Sequence, residues 1–318
     1  MRIASIDIGT NTVLLLIADI DEHGVIHPVE HQQRLPRLGR DVGQNKVIHT
    51  TAFDRIAWIL NEYRNLAQQL RAEETVACAT SAVRDAANRD EFQSYMKSAT
   101  GIDVEALSGD EEALLTYRGA ISGFPNLKHE AVVLDIGGGS TEITYPSKPT
   151  PPLLSGEGRG EVSLTRHSLQ LGSVRLTERY FKHDPPTVSE LQSAVDDIRK
   201  TFADVSTPQF SQYRLIGVAG TVTTLACLDQ QLLQFDIEKV SGYEMSRHAV
   251  AAWQSKLSSM HSQHVRSLSS TTEGRADILA AGVLILHEFM EYFDIHSVLV
   301  SERGLRYGLA IREWENRR

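Results

Sequence analysis

Short runs of alternating and clustered apolar residues open the chain and recur near its middle. Residues 2–8 (RIASIDI) and 13–20 (VLLLIADI) predict two strands joined by a Gly-Thr-Asn-Thr turn. The segment 25–38 is expected to extend this sheet, before the polar, Gly-containing residues 39–46 interrupt it. Residues 130–146 (EAVVLDIGGGSTEITYP) repeat the order of strand, glycine turn and strand. The pattern predicts two copies of one β-hairpin.

Helical periodicity fills the interval between the two hairpins. From Thr51 to about Ala72 the apolar residues recur at helical spacing, which predicts an amphipathic helix. Four further elements are predicted before the second hairpin: a strand over 75–83, a helix over 88–101, a short strand over 103–107 and a helix over 110–123. Strands that alternate with helices favour a sheet with helices on its faces.

The same alternation continues after the second hairpin. Helices are predicted over 176–183 and 189–205, the second with Ser189 as its N-cap. Residues 213–228 form a strand that passes through Gly220 into a helix opening at Thr221. A long apolar helix over 274–293, a strand over 297–304 and a terminal helix over 305–318 complete the prediction.

The repeat predicts a duplicated α/β fold, in which each domain is a mixed sheet flanked by helices. Asp7 and Asp135 stand at equivalent places in the two copies. We expect domains over 1–124 and 125–318, joined near residues 122–129, where Gly, Pro and Asn break both periodicities. The terminal helix is expected to pack back on the first domain, and the Pro-, Gly- and Ser-rich residues 146–160 to form a surface loop.

Composition and charge limit the class of protein. The 318 residues are 41% hydrophobic and 23% charged, which is globular composition and excludes a disordered or fibrous chain. The formal net charge of −9 disfavours nucleic acid and anionic membrane surfaces as partners. The two cysteines, Cys78 and Cys227, have no metal or redox spacing.

The start of the chain bears on its location. Asp7 interrupts the apolar core that a signal peptide would need, and no stretch approaches the roughly 20 apolar residues of a membrane span. We therefore expect a cytoplasmic protein.

Because the net charge is −9, an anionic substrate would need local positive charge on the protein. Two clusters of basic residues offer it: Arg34, Arg37 and Arg40, and Arg166, Arg175, Arg179 and Lys182.

The two glycine turns are candidate phosphate sites. Glycines expose backbone N–H groups that cradle phosphate oxygens, and the neighbouring hydroxyl and amide side chains add donors. The candidate residues are Gly9, Thr10, Asn11 and Thr12 in the first copy, and Gly137, Gly138, Gly139, Ser140 and Thr141 in the second. A single turn is equally well explained as a plain hairpin, whereas two matched copies favour phosphate binding. Gly172, Ser173 and Arg175 look like a further anion-contacting turn at a helix start.

Carboxylates accompany these turns. A carboxylate at the end of a buried strand needs a partner, and a hydrated divalent cation shared with phosphate is a natural one. For Asp7, accepting hydrogen bonds from its own turn is an equal alternative. Ser108 and Glu111 have capping-box spacing, so Glu112 points about 100° away from the occupied glutamate. From the residues alone, the favoured explanation is that both glutamates complement the helix dipole.

The two turns resemble the phosphate-1 and phosphate-2 motifs of the acetate kinase, sugar kinase, Hsp70 and actin superfamily. Further motifs are spread over nearly the whole chain, among them ATSAVRDAAN, SGDEEALLTYRGA, LDIGGGSTEI, LGSVRLTERYF, GVAGTVTTLA and VSERGLRYGL. Together they resemble the exopolyphosphatase and guanosine pentaphosphate phosphohydrolase (Ppx/GppA) family in its short two-domain form. The resemblance implies two ribonuclease H-like (actin-like ATPase) domains with the active site in the cleft between them.

The resemblance also implies an activity and a set of site residues. Family members remove a terminal phosphoryl group from inorganic polyphosphate or from pppGpp with Mg²⁺ or another divalent cation. By this resemblance, Glu112 corresponds to the catalytic base and Arg84 to a substrate-binding arginine. Asp135 and Glu142 correspond to the metal ligands, and Asp7 is a further candidate ligand. For Arg84, an ion pair with Asp85 or Asp90 is the alternative.

The expected function is an exopolyphosphatase that releases orthophosphate from polyphosphate. Three alternatives stay open: a pppGpp 5′-phosphohydrolase that makes ppGpp, a non-catalytic sensor of (p)ppGpp or polyphosphate, and a kinase of the same superfamily. The chain stops after the second domain, without the C-terminal helical domain of longer relatives. We therefore expect short polyphosphate chains as substrates, and a homodimer is a further expectation.

Overall fold

The computed structural model describes residues 1–39, 42, 46–147, 163–205 and 210–318. From residue 148 onward, the predicted surface loop lies outside the described residues, as does Arg40 of the first basic cluster. No helix in these ranges is both long enough and apolar enough to cross a membrane.

Two β-sheets form the framework of the molecule. The first contains β1 (Arg2–Ile8), β2 (Val13–Ile20), β3 (Ile26–Arg34), β4 (Glu74–Ala79) and β5 (Val104–Ala106). The second contains β6 (Ala131–Ile136), β7 (Thr141–Pro146), β8 (Leu164–Leu169), β9 (Arg214–Val218), β10 (Glu244–Ser246) and β11 (Ser297–Val300).

The second sheet repeats the topology of the first. The first sheet has the order β3-β2-β1-β4-β5, in which β2 is antiparallel to β1 and β3, and β4 is parallel to β1 and β5. In the second sheet β8-β7-β6-β9-β11 has the same order and directions, and β10 adds an antiparallel edge strand. The prediction of a duplicated α/β fold with mixed sheets is confirmed.

Twelve helices in the described ranges flank these sheets. In the first half they are α1 (Thr50–Gln69), α2 (Ser81–Arg84), α3 (Arg89–Thr100) and α4 (Gly109–Gly123). In the second half they are α5 (Ser173–Tyr180), α6 (Val188–Ala203), α7 (Ala219–Asp229), α8 (Ile237–Val240), α9 (Arg247–Ser258), α10 (Ser262–Arg266), α11 (Leu279–Tyr292) and α12 (Leu305–Asn316). Short 3₁₀ helices occur at Pro125–Leu127, Phe210–Gln212 and Ser270–Thr272.

Several predicted boundaries were wrong. The strand predicted over 75–83 ends at Ala79, because the chain turns into the short helix α2 there. The N-cap of α6 is Thr187 and not Ser189, because Glu190 completes a capping box with Thr187. The helix predicted to open at Thr221 starts two residues earlier, and the one predicted from residue 274 starts only at Leu279.

Helices α4 and α12 cross in close contact and link the two halves. A Cβ atom on Gly119 of α4 would lie 2.0 Å from the backbone oxygen of Gly304, and one on Gly308 of α12 would lie 1.8 Å from the oxygen of Leu115. The backbones can approach this closely only because both positions are glycine.

Each crossing helix packs on the sheet of the other half. Although α4 ends the first half of the sequence, it contacts β6, β7 and β8, and Thr144 of β7 donates to the oxygen of Ala113 at 3.2 Å. Helix α12 packs on β1 and β2, with Tyr307 and Ala310 in one apolar cluster with Ile3. The domain boundary at residue 124 stays a prediction; in the structure the two crossing helices belong to both halves.

We expect Gly308→Ala to destabilise the fold by about 1–3 kcal/mol, because the new methyl group overpacks the crossing. The measurement is the free energy of unfolding from urea denaturation. Gly304→Ala is the matched control, since a Cβ there meets nothing within 4 Å. Equal stability of the two variants would contradict the proposed tightness of the crossing.

Candidate functional site

The two glycine turns have the same local structure. In the first, Gly9 donates its amide N–H to the oxygen of Thr12 at 2.9 Å. In the second, Gly137 donates to the oxygen of Ser140 at 3.0 Å. The first turn links β1 to β2 and the second links β6 to β7, so each follows an aspartate near the end of its strand.

The turns from the two halves meet. A Cβ on Gly138 would lie 2.9 Å from Cβ of Thr10, and one on Gly139 would lie 2.5 Å from Oγ of Ser81. The hydroxyl groups of Thr10 and Ser81 form a buried hydrogen bond of 3.0 Å. These contacts explain why the second turn requires glycines, since side chains at 138 and 139 would push the two halves apart.

A cavity of about 930 Å³ opens between the halves beside both turns. Its wall brings together eleven of the predicted site residues: Asp7, Gly9, Thr10, Asn11, Thr12, Glu112, Asp135, Gly137, Gly138, Ser140 and Ser173. The other predicted site residues lie off this wall: Arg84, Gly139, Thr141, Glu142, Gly172 and Arg175. The cavity lies in the inter-domain cleft, where the resemblance places the active site.

Glu112 lies on the cavity wall in the first turn of α4, only 6% exposed. The capping box expected between Ser108 and Glu111 is formed, which leaves Glu112 free to turn inward. Behind the wall, Nη1 of Arg84 donates to Oε2 of Glu112 at 2.5 Å and to the oxygen of Leu107 at 3.2 Å. Arg84 thus contacts the predicted base, and its Nε lies 3.8 Å from Asp85, one of the two ion-pair partners expected as the alternative. Its contact with substrate stays a prediction.

Glu142 lies beneath the cavity and is not on its wall. It stands directly opposite Asp135 in the β6–β7 pair, but it is only 2% exposed and Ser168 donates to its Oε1 at 2.7 Å. The equivalent position opposite Asp7 is Leu14. Asp7 and Asp135 are therefore the two predicted metal ligands that reach the cavity.

Burial and mutual repulsion perturb this group of carboxylates. Burial raises the pKa of Asp7 to about 8, and the charges of Glu112 and Asp135 add to the rise. Burial, followed by the charge of Glu112, raises the pKa of Asp135 to about 7. Burial also raises the pKa of Glu112, although Arg84 opposes the rise, and holds the pKa of Glu142 well above its usual value.

The turn before α5 has a supporting role that differs from the predicted one. The amides of Ser173, Val174 and Arg175 donate to the oxygens of Gly137 and Gly138 at 2.9–3.1 Å, so they are not available to an anion. The guanidinium of Arg175 donates to the oxygen of Gly139 at 2.8 Å and to Asp85 at 2.9 Å. This turn therefore holds the second glycine turn in place.

Most of the predicted basic clusters are also neutralised by protein groups. Arg34 pairs with Glu62, and Arg179 donates to Asp197 at 2.9 Å. Arg37 reaches the cavity wall but forms a bidentate pair with Asp277, at 2.7 and 2.9 Å.

Sequence reasoning missed two arginines of the cavity wall, Arg275 and Arg306. Arg306 lies in the motif VSERGLRYGL and Arg275 at the start of the predicted long apolar helix, but nothing in their local spacing separates them from surface arginines. It also missed five apolar side chains of the cavity wall, those of Leu35, Phe235, Ile237, Ile278 and Leu279. The order of these residues in the sequence gives no indication that they line one cavity.

Comparison with known proteins gives the family. The model of the Ppx/GppA phosphatase family matches residues 16–317. Exopolyphosphatase 2 of Mycobacterium tuberculosis is 32% identical over 324 residues, with 98% of each chain covered. The bifunctional 3-dehydroquinate synthase/phosphatase of Fusobacterium nucleatum is also 32% identical, but the chain spans only 47% of its length.

A solved structure agrees with the sequence comparisons. The crystal structure of the Aquifex aeolicus Ppx/GppA family member superposes with a TM-score of 0.81 at 30% identity, covering 100% of this chain and 98% of the other. The duplicated sheets, the paired glycine turns and the cleft carboxylates thus occur in a chain that belongs to the Ppx/GppA phosphatase family.

Proposed function

We propose that this phosphatase-family enzyme is an exopolyphosphatase, which hydrolyses the terminal phosphoanhydride of inorganic polyphosphate and releases orthophosphate. The observation that carries the proposal is the position of Glu112, a buried carboxylate on the cavity wall that is shared with both glycine turns. The likeness to a mycobacterial exopolyphosphatase over nearly the whole of both chains supports the choice of polyphosphate.

Glu112 acts as the general base in this proposal. Arg84 holds Oε2, and no described residue donates to Oε1, which leaves that oxygen for a water molecule. Water attacks the terminal phosphorus, its proton passes to Oε1, and the bridging oxygen leaves with the shortened chain. The raised pKa of Glu112 makes its carboxylate a better proton acceptor. Arg84 is then a positioning residue.

The glycine turns bind the phosphoryl oxygens. The amides of Thr10, Asn11 and Gly138, which line the cavity, donate to no acceptor in the described part of the chain. Three amides from two halves of the molecule can contact the terminal phosphoryl group, where negative charge develops during the reaction. Because this cradle is preformed, binding requires little reorganisation.

A divalent cation fits the remaining carboxylates. Oδ1 of Asp7 is buried without a partner, and Asp135 faces the same cavity. No set of three or more His, Cys, Asp or Glu side chains in the described ranges is arranged to hold a metal. This suits Mg²⁺, which keeps several waters and takes one or two carboxylates together with substrate oxygens. When bound, Mg²⁺ would neutralise phosphoryl charge.

We expect Glu112→Gln to lower the rate of phosphate release from tripolyphosphate with Mg²⁺ by about 100- to 10,000-fold, which is the usual contribution of a general base. The neighbouring Glu111→Gln is the matched control. It should retain activity within a few-fold, because glutamine also completes a capping box. Comparable losses in the two variants would contradict the assignment of the base.

The perturbed carboxylates predict proton release when Mg²⁺ binds. At pH 7 Asp7, with a pKa of about 8, is mostly protonated and Asp135, with a pKa of about 7, is partly so. Mg²⁺ selects the ionised forms, so protons leave at pH 7 and fewer leave at pH 9. Calorimetry in buffers of different ionisation enthalpy measures the number of protons released for each Mg²⁺ bound.

Two variants test the source of these protons. Asp7→Asn should release fewer protons at pH 7, whereas Asp110→Asn, which removes an exposed acid outside the cavity, should match the wild type. Mg²⁺ binding without any proton release at pH 7 would contradict the proposed ligands.

A second candidate function is hydrolysis of pppGpp to ppGpp. The apolar side chains of the cavity wall favour it, because inorganic polyphosphate has no apolar group to place against them, whereas a guanine base could stack on Phe235. Phe235 is 47% exposed in the structure.

We expect Phe235→Ala to raise the KM for pppGpp by about 5- to 100-fold, the usual effect of losing one base-stacking contact, and to leave the KM for tripolyphosphate unchanged. Leu233→Ala, which removes a 74% exposed side chain off the cavity wall, is the control. Equal KM values for pppGpp in the wild type and in Phe235→Ala would rule out this role of Phe235.

A further inference from the structure

The electrostatics of the cavity require more positive charge than the predicted arginines supply. Asp7, Glu112 and Asp135 line the wall, and a polyphosphate adds further negative charge. Arg84 is held by Glu112, and Arg175 by Asp85 and the oxygen of Gly139. Neither guanidinium reaches the cavity wall, so an arginine that faces the substrate beside the metal must be a different one.

Three arginines line the wall among the described residues. Arg37 is occupied by its bidentate pair with Asp277. Arg275 lies against Gly220, where a Cβ would be only 1.5 Å from its Nη1, and its Nε is buried without a hydrogen-bond partner. Cys227, and not a cleft carboxylate, is the ionisable group that acts on the pKa of Arg275. Arg306, in contrast, lies near Asp7, whose pKa its charge lowers.

The backbone around Arg306 is fixed by the first sheet. Arg306 lies in the first turn of α12, and Ser5 of β1 donates its hydroxyl to the oxygen of Arg306 at 2.8 Å. Ser5 and Asp7 are two residues apart on β1, so their side chains point to the same face of the sheet. The anchor at Ser5 therefore places Arg306 beside Asp7.

The guanidinium of Arg306 is left for a ligand. Its neighbour Glu302 pairs with Arg303, at 3.3 Å, and no carboxylate or carbonyl of the described chain accepts a hydrogen bond from Arg306. Its Cζ lies 5.8 Å from the centre of the Tyr307 ring. Burial lowers the pKa of this arginine, which nonetheless stays charged. A half-buried charge without a protein partner is expected where an anion binds.

We propose that Arg306 is a substrate-binding residue, which contacts the non-bridging oxygens of the phosphoryl group that lies beside Asp7. This inference rests on the proposed function, since it takes a polyphosphate group as the ligand. A guanidinium presents paired donors that match two phosphoryl oxygens. Arg84 and Arg175 pair with protein carboxylates, so Arg306 would supply positive charge to the substrate in their place.

The test is the affinity for tripolyphosphate in the non-hydrolysing Glu112→Gln protein, measured by calorimetry with Mg²⁺. Adding Arg306→Gln should weaken binding by about 10- to 100-fold, the usual effect of losing a charge-assisted hydrogen bond. Arg306→Lys should recover part of the affinity, because lysine keeps the charge without the paired donors. Arg312→Gln, which removes the same charge from the same helix at its pair with Glu105, should leave the affinity unchanged.

The outcomes separate this inference from the proposed function. If wild-type protein releases no phosphate from tripolyphosphate and the Glu112→Gln protein does not bind it, the proposed function fails. If the Glu112→Gln protein binds tripolyphosphate and Arg306→Gln leaves the affinity within two-fold, the role of Arg306 is wrong. Should Arg306→Gln not fold, Arg306→Lys decides the matter: an affinity reduced several-fold supports the role, and an unchanged affinity overturns it.

Discussion

The close crossing of α4 and α12 is the contact on which the site depends. Gly119 and Gly308 let the two helix backbones meet without side chains between them. Each helix then packs on the sheet of the other half, and each begins at the cleft. Glu112 in the first turn of α4 and Arg306 in the first turn of α12 therefore face one cavity, because the crossing fixes the relative position of their helices.

The cavity concentrates negative charge in a partly dehydrated space. The charges of Glu112 and Asp135 raise the pKa of Asp7, and the charge of Glu112 raises the pKa of Asp135, which disfavours simultaneous ionisation of the three carboxylates. Such an arrangement is poorly stable by itself and is relieved when a cation or a proton is taken up. A reaction of a polyanionic substrate in this space therefore depends on cations that are not already paired with carboxylates of the protein.

Duplication explains both the similarity and the difference of the two halves. The turns at Gly9 and Gly137 are closed by the same hydrogen bond and follow equivalent aspartates. Opposite those aspartates, however, the first half has Leu14 and the second has Glu142. The carboxylates are therefore distributed unequally, while the amide donors come from both halves.

The sequence by itself determined the features that local patterns encode. The repeated hairpin, the paired glycine turns and the capping box that separates Glu111 from Glu112 follow from periodicity and short spacing. The motifs also identified the family. Each of these features joins residues that are close in the chain, so the sequence carries their geometry directly.

Only the tertiary structure decided which side chains face the cavity. Arg84 meets Glu112 across 28 residues and Arg175 meets Asp85 across 90, so both arginines pair with protein carboxylates inside the fold. Ser5 fixes the backbone of Arg306 across 301 residues, and thereby brings to Asp7 an arginine that no local pattern marks. Such pairings depend on how the sheets and helices pack, because packing and not spacing determines which charges are compensated and which remain free.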